Sequence, residues 1–167
     1  MKTKYITIFV VLVYTFFMCP ASANKNVLTH KKTSGELVFY SGTITVSGKY
    51  RWRFDENSLM FDGNSICFDV DQATSSLIPR IGQDKRSAWF CFSNREDAMK
   101  LLRIPKNFPS DYCGFTGNAT IEITDYVANL AQHAVHDYAR LVRASSSGPS
   151  QPFICKECIC RPNWPNS

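Results

Sequence analysis

The sequence predicts a mainly β domain with one helix, closed as a small barrel and held by disulfides. Three observations carry this. Alternating apolar runs rich in β-branched and aromatic residues recur between turn signals from Glu36 to Ala144. A single helical segment, about Asn94 to Arg103, falls between the third and fourth main strands, so the order is β-β-β-α-β-β. The first 23 residues read as an export signal, which places the six later cysteines in an oxidising compartment. An α+β roll or a small sandwich is the alternative architecture.

In the signal, Lys2 and Lys4 form a basic start, Ile6 to Met18 an apolar run, and Ala21-Ser22-Ala23 the small residues of a cleavage site before Asn24. The run is shorter than the ~20 residues of a membrane span, and no second one follows, so no span is expected after cleavage. Cys19 belongs to the discarded peptide. Removing the first 23 of 167 residues leaves 144, the size of one domain, and the 19 basic residues fall to 17 against 14 acidic ones, a formal +3. That surplus permits an anionic partner without demanding one.

Residues 24–35 are polar and basic, a loose N-terminal arm that includes His30. Residues 36–144 form the barrel domain. Val38, Tyr40, Ile44 and Val46 share one parity, with Gly42 between them marking a bulge or bend. Ser47-Gly48-Lys49 reads as a turn. A second strand follows, in which Tyr50, Trp52 and Phe54 alternate with Arg51 and Arg53. Residues 58–61 and 65–70 make a third strand, interrupted at Asp62-Gly63-Asn64; residues 71–86 read as a loop. Ala88, Phe90 and Phe92 mark a short extra strand. Ser93 and Glu96 have the spacing of a capping box, and Pro105 ends the helix. Tyr112 to Tyr126 is a strand with Ala119, Ile121 and Ile123 inward; Val127 to His136 is a helix or a hairpin connection; Asp137 to Ala144 is the last strand. Residues 145–152 are a Ser/Gly/Pro linker and 153–167 a cysteine-rich tail.

This element order is that of the five-stranded oligonucleotide/oligosaccharide-binding barrel, or OB-fold. The Ser41-Gly42-Thr43 turn, Ile66-Cys67-Phe68, and Gly117-Asn118-Ala119-Thr120-Ile121 leading to Asp125-Tyr126 resemble small exported bacterial domains of unknown function with this barrel, over Glu36 to Ala144. The resemblance implies an exported domain, periplasmic or secreted, with this barrel; recognition of an envelope component is our own expectation for it.

The six cysteines are Cys67, Cys91 and Cys113 in the body and Cys155, Cys158 and Cys160 in the tail. Three disulfides are the default, and three tail cysteines cannot all pair among themselves, so full oxidation requires a bond from tail to body, with Cys158 or Cys160 reaching Cys67, Cys91 or Cys113. Cys155 and Cys158 have redox-motif spacing without the strand–helix setting that activates a thiolate. We read them as structural, keeping a thiol-disulfide oxidoreductase as an alternative. Zinc is disfavoured because no histidine follows them.

Motifs for chemistry are sparse. There is no Gly-x-Ser-x-Gly elbow, phosphate loop or dinucleotide fingerprint, and nothing calls for a cofactor. His133 and His136 are weak metal candidates, which would suit a small extracytoplasmic hydrolase or metal-dependent enzyme. Asn118-Ala119-Thr120 is a glycosylation sequon, meaningful only in a eukaryotic host. The best binding candidates are Lys49, Arg51, Trp52 and Arg53. Either the rings are core and the cations a solvated face, or this strand meets an anionic ligand. The expected protein is thus an exported binding domain for an envelope or extracellular protein, a glycan or another anionic ligand. Nucleic acid is disfavoured by export.

Overall fold

A computed structural model describes residues 26–53, 65–82, 84–107, 112–132, 136–146 and 148–154. The expected export signal, Cys155, Cys158, Cys160 and His133 lie outside the described residues, as does the expected strand at 58–61. The described chain is mainly β: a single seven-stranded sheet and two short helices, the sheet curling partly into a ring. Among these residues no helix is long and apolar enough to cross a membrane.

Strand β1 (Val27–Ser34) pairs antiparallel with β2 (Leu37–Arg53). The residues read as a loose arm are therefore an edge strand, fixed by ring contacts as well as by its ladder: His30 meets Tyr40 edge-on and the Lys32 ammonium lies 4.8 Å from the centre of the Phe39 ring. β2 is one strand of 17 residues where the sequence suggests two strands and a turn. Its inward positions keep even parity from Val38 to Trp52 straight through residue 48, and a turn at 47–49 would have broken that phase. Glycine stands at 48 for room. A Cβ there would lie 2.1 Å from the Asp69 carbonyl oxygen and 2.8 Å from the Phe68 ring. The irregularity expected at Gly42 is present, with φ +108° and a register shift against β5 (Tyr112–Asn129) between Phe39 and Thr43. The Thr124 hydroxyl donates to the Gly42 carbonyl there.

β3 (Ile66–Val70) pairs antiparallel with β2 and with β4 (Trp89–Phe92), which runs parallel to β6 (Asp137–Ser146); β6 pairs antiparallel with β5, and β5 returns to β2. The pairings thus run β2-β3-β4-β6-β5 and back to β2. The strand set down as extra, Trp89–Phe92, is a member of this circuit.

Helix α1 (Gln72–Ser75) opens the segment read as a loop, and α2 (Arg95–Leu101) follows β4. The capping box does not form. Ser93 donates both its amide and its hydroxyl to the Ala139 carbonyl, so the N-cap is Asn94, and its side chain bonds the amide and carbonyl of Leu141 instead. The helix is shorter than expected at both ends: Asn94 is held to β6, and the helix stops at Leu101, before Arg103 with its φ of +55°. Ala98, Met99 and Leu102 seal the core.

The linker is also shorter than expected. β6 runs to Ser146, and β7 (Gln151–Ile154) pairs with the start of β5. The Ser150 hydroxyl lies 2.6 Å from the Tyr50 hydroxyl, joining the segment before β7 to the interior. Inside, Phe68 stacks on Phe90, and Phe90 meets Phe92 and Tyr126 edge-on.

Candidate functional site

Directly paired residues share a face of a sheet, so the registers group the outward side chains. Lys49 pairs with Asp69, and Asp69 with Trp89; Arg51 pairs with Cys67, Cys67 with Cys91, and Cys91 with Tyr138. Tyr50, Phe68 and Phe90 form the matching inward row. Of the residues singled out in the second predicted strand, Lys49 and Arg51 are exposed on the outer face, whereas Trp52 is buried in the core, its ring stacked on Phe115. Strand alternation therefore separates Trp52 from the two cations. Arg53 ends β2 and its side chain is outside the described residues.

Aromatic rings missed by that reading stand on the cationic face. His136 packs between Trp89 and Tyr138, with centroids 5.5 and 4.9 Å away and interplanar angles of 56° and 71°. Its Nδ1 is buried and has no hydrogen-bond partner among the described residues. Burial lowers its pKa, against a smaller opposing pull from Asp137, which favours the neutral imidazole. Tyr138 is 39% exposed. Arg140, two residues on, and Arg143, opposite Glu122, continue the face along β6. The cations Lys49, Arg51, Arg140 and Arg143 thus share it with the carboxylates Asp69 and Glu122. The periodic signal for the β6 part was a ring and a guanidinium alternating with Ala139 and Leu141. The Cys67–Cys91 disulfide joins paired positions of β3 and β4, between Arg51 and Tyr138 in the register.

A second polar cluster faces inward. Asp137, 1% exposed, occupies an inward strand position in phase with Ala139 and Leu141. Four groups donate to its carboxylate. Tyr126 Oη and Arg80 Nη1 reach Oδ2 at 2.5 and 3.2 Å, while the Asn129 amide and Arg86 Nη2 reach Oδ1 at 2.9 and 3.3 Å. Arg86 also grips Asp84 with Nε and Nη2, both at 2.9 Å, and Arg80 Nη2 donates to the Ser87 carbonyl. The hydrogen bonds from Arg86 hold the Asp84 carboxyl down at about 2, against partial burial. The same contact raises the Arg86 pKa. Burial first, then the Asp137 charge, pushes the Tyr126 phenol far above its ordinary value. The network ties the aperiodic 76–88 segment to β5 and β6.

Among the described residues no group of three or more His, Cys, Asp or Glu side chains could hold a metal ion. Cys113 is buried in β5. No protein-family model, curated protein or solved structure matches the chain.

Proposed function

We propose that the protein is an exported binding domain, built on an OB-type barrel, that takes an acidic glycan or similar polyanion across the outer face of β3, β4 and their neighbours. The carrying observation is the outer face itself, where Lys49 is followed across the registers by Asp69 and Trp89, and Arg51 by the disulfide and Tyr138, with the His136 ring packed between Trp89 and Tyr138. Aromatic rings accept the apolar faces of sugars, and guanidinium groups make paired hydrogen bonds to carboxylates. The pairing circuit supports the barrel reading. Counted from β2, its strands follow the order 1-2-3-5-4-1, with α2 between the third and fourth. In OB barrels the second and third strands carry the ligand, and here those are β3 and β4. The link from tail to body expected from cysteine parity belongs to the same proposal. With Cys67 and Cys91 joined, Cys113 is the body cysteine left for it.

Retention of the purified chain on immobilised polygalacturonate, compared with neutral dextran, tests this reading. Retention on the acidic polymer alone, weakened by salt and lost in the Lys49→Ala/Arg51→Ala and Trp89→Ala variants, is expected. Equal retention of wild type and variants would remove the face from consideration.

A further inference from the structure

The 76–88 segment borders an open cavity of about 580 Å³, within the roughly 300–1,000 Å³ range of small-molecule sites. Arg80, Arg86, Ser75, Ser76 and Ser87 supply its polar wall, and Ile78 is among its apolar residues. The network behind it is formally neutral, with two guanidinium groups against two carboxylates. Its charges are nevertheless layered. The Asp137 and Asp84 side chains are 1% and 9% exposed, whereas those of Arg80 and Arg86 are 23% and 32% exposed. The carboxylates lie inside and the guanidinium groups outside, so the surface offered to a ligand is cationic. Donors also remain. Among the described residues, Arg80 Nε and Arg86 Nη1 make no hydrogen bond, while the other guanidinium nitrogens are held by Asp84, Asp137 and the Ser87 carbonyl. Carboxylates that hold an arginine from behind fix its direction, which reduces the ordering cost of binding. A metal cation would meet two positive groups here and no available carboxylate.

We propose that this cavity binds a small molecule through an oxyanion, a carboxylate or a phosphate, received by Arg80, Arg86 and the serine hydroxyls. The cavity lining shares no residue with the set proposed on the outer face, and this proposal does not rest on that one.

Amide and arginine Nε–H shifts of the isotopically labelled full chain test the assignment at constant ionic strength. The probes are inorganic phosphate, glucuronate and, as the neutral control, glucose. Saturable shifts at Ser75, Ser76, Ser87 and the two arginines are expected with phosphate, glucuronate or both, and none with glucose. The responding probe names the oxyanion class. Ser76 lines the cavity, is exposed and is outside the ionic network, so Ser76→Trp should obstruct the cavity, with an unchanged amide spectrum away from it as the check on folding, and should weaken binding by about tenfold or more, roughly 1.4 kcal/mol. Retained affinity in Ser76→Trp, saturation by glucose equal to that by glucuronate, or no saturation by either oxyanion would each overturn the proposal. Lys49→Ala/Arg51→Ala should leave these shifts unchanged.

Discussion

Arg51 and the pair Arg80–Arg86 carry the same side chain to opposite uses. Arg51 stands exposed on the outer face of a regular strand. Arg80 and Arg86 lie in an irregular segment, and their directions are set by two carboxylates, one of them fully inside the protein. A guanidinium placed by a strand can be removed with little cost to the fold. One that balances a buried charge cannot, because its loss leaves that charge without a partner.

The sharpest way to break this contrast is Asp137→Ala. It removes the buried acceptor shared by two guanidinium groups, which then keep only Asp84 and the Ser87 carbonyl, and it leaves the Tyr126 hydroxyl and the Asn129 amide without their partner; it should cost about 3–5 kcal/mol in denaturant unfolding. A loss below ~1 kcal/mol would mean that the segment 76–88 is held by something else.

Next in size is the Cys67–Cys91 bond. Its partners are separated by 24 positions, and replacing both with alanine should cost about 3 kcal/mol from the restored freedom of the unfolded chain. Non-reducing peptide mapping of the intact protein should return this bond together with one from Cys113 to a tail cysteine. Recovery of Cys113 as an alkylated thiol would contradict the second bond.

Acid sharpens the comparison further. Asp84 has a folded-state pKa depressed from 3.8 to about 2. Its contribution is therefore complete above the unfolded value and is lost as pH falls from about 4 toward 2. Asp84→Asn should flatten the fall in stability across that window, whereas Lys49→Ala/Arg51→Ala should leave it unchanged. His136 adds a smaller term at milder pH. Its folded pKa lies below the ordinary 6.5, so the unfolded state takes up the proton first and stability declines as pH drops below that value.

The smallest expected effect completes the contrast. Lys49→Ala/Arg51→Ala should change unfolding stability by no more than ~0.5 kcal/mol, the usual result for surface positions, while abolishing retention on polygalacturonate. A large stability loss would make these cations structural.

How far the sequence reveals these regions follows from the range of the forces involved. Inward and outward residues of β2, β5 and β6 are legible because alternation is local. The turn misread at 47–49 came from treating Gly48 as a breaker, when what required glycine was the passage of β3 at that point, information held by Phe68 and Asp69. The capping box at Ser93 failed for a similar reason, since the hydroxyl found a carbonyl on β6, 46 residues later. Lys49 and Arg51 are accessible to pattern reading, but their aromatic neighbours come from β4, from β6 and from the residue just before β6. The Asp137 network was the least visible part: Arg80 and Arg86 have no periodicity, and their shared partner lies 57 and 51 residues further on. One clue was present, a carboxylate at an inward position of the last strand, and burial obliges such a group to find cations or donors.

The pairing of β2 on both sides carries a consequence for how the chain assembles. Its partner β3 follows soon after in the chain, but its partner β5 begins at Tyr112. Under the proposed export, a polypeptide delivered N-terminus first across a membrane can form the β2-β3-β4 meander, and can oxidise Cys67 with Cys91, before β5 and β6 emerge. Until they do, that early sheet has an unfilled edge on β2 and another on β4, both of which invite association with other chains. The covalent clamp sits on the half that must wait, and it preserves the register of β3 with β4 until the later strands complete the circuit.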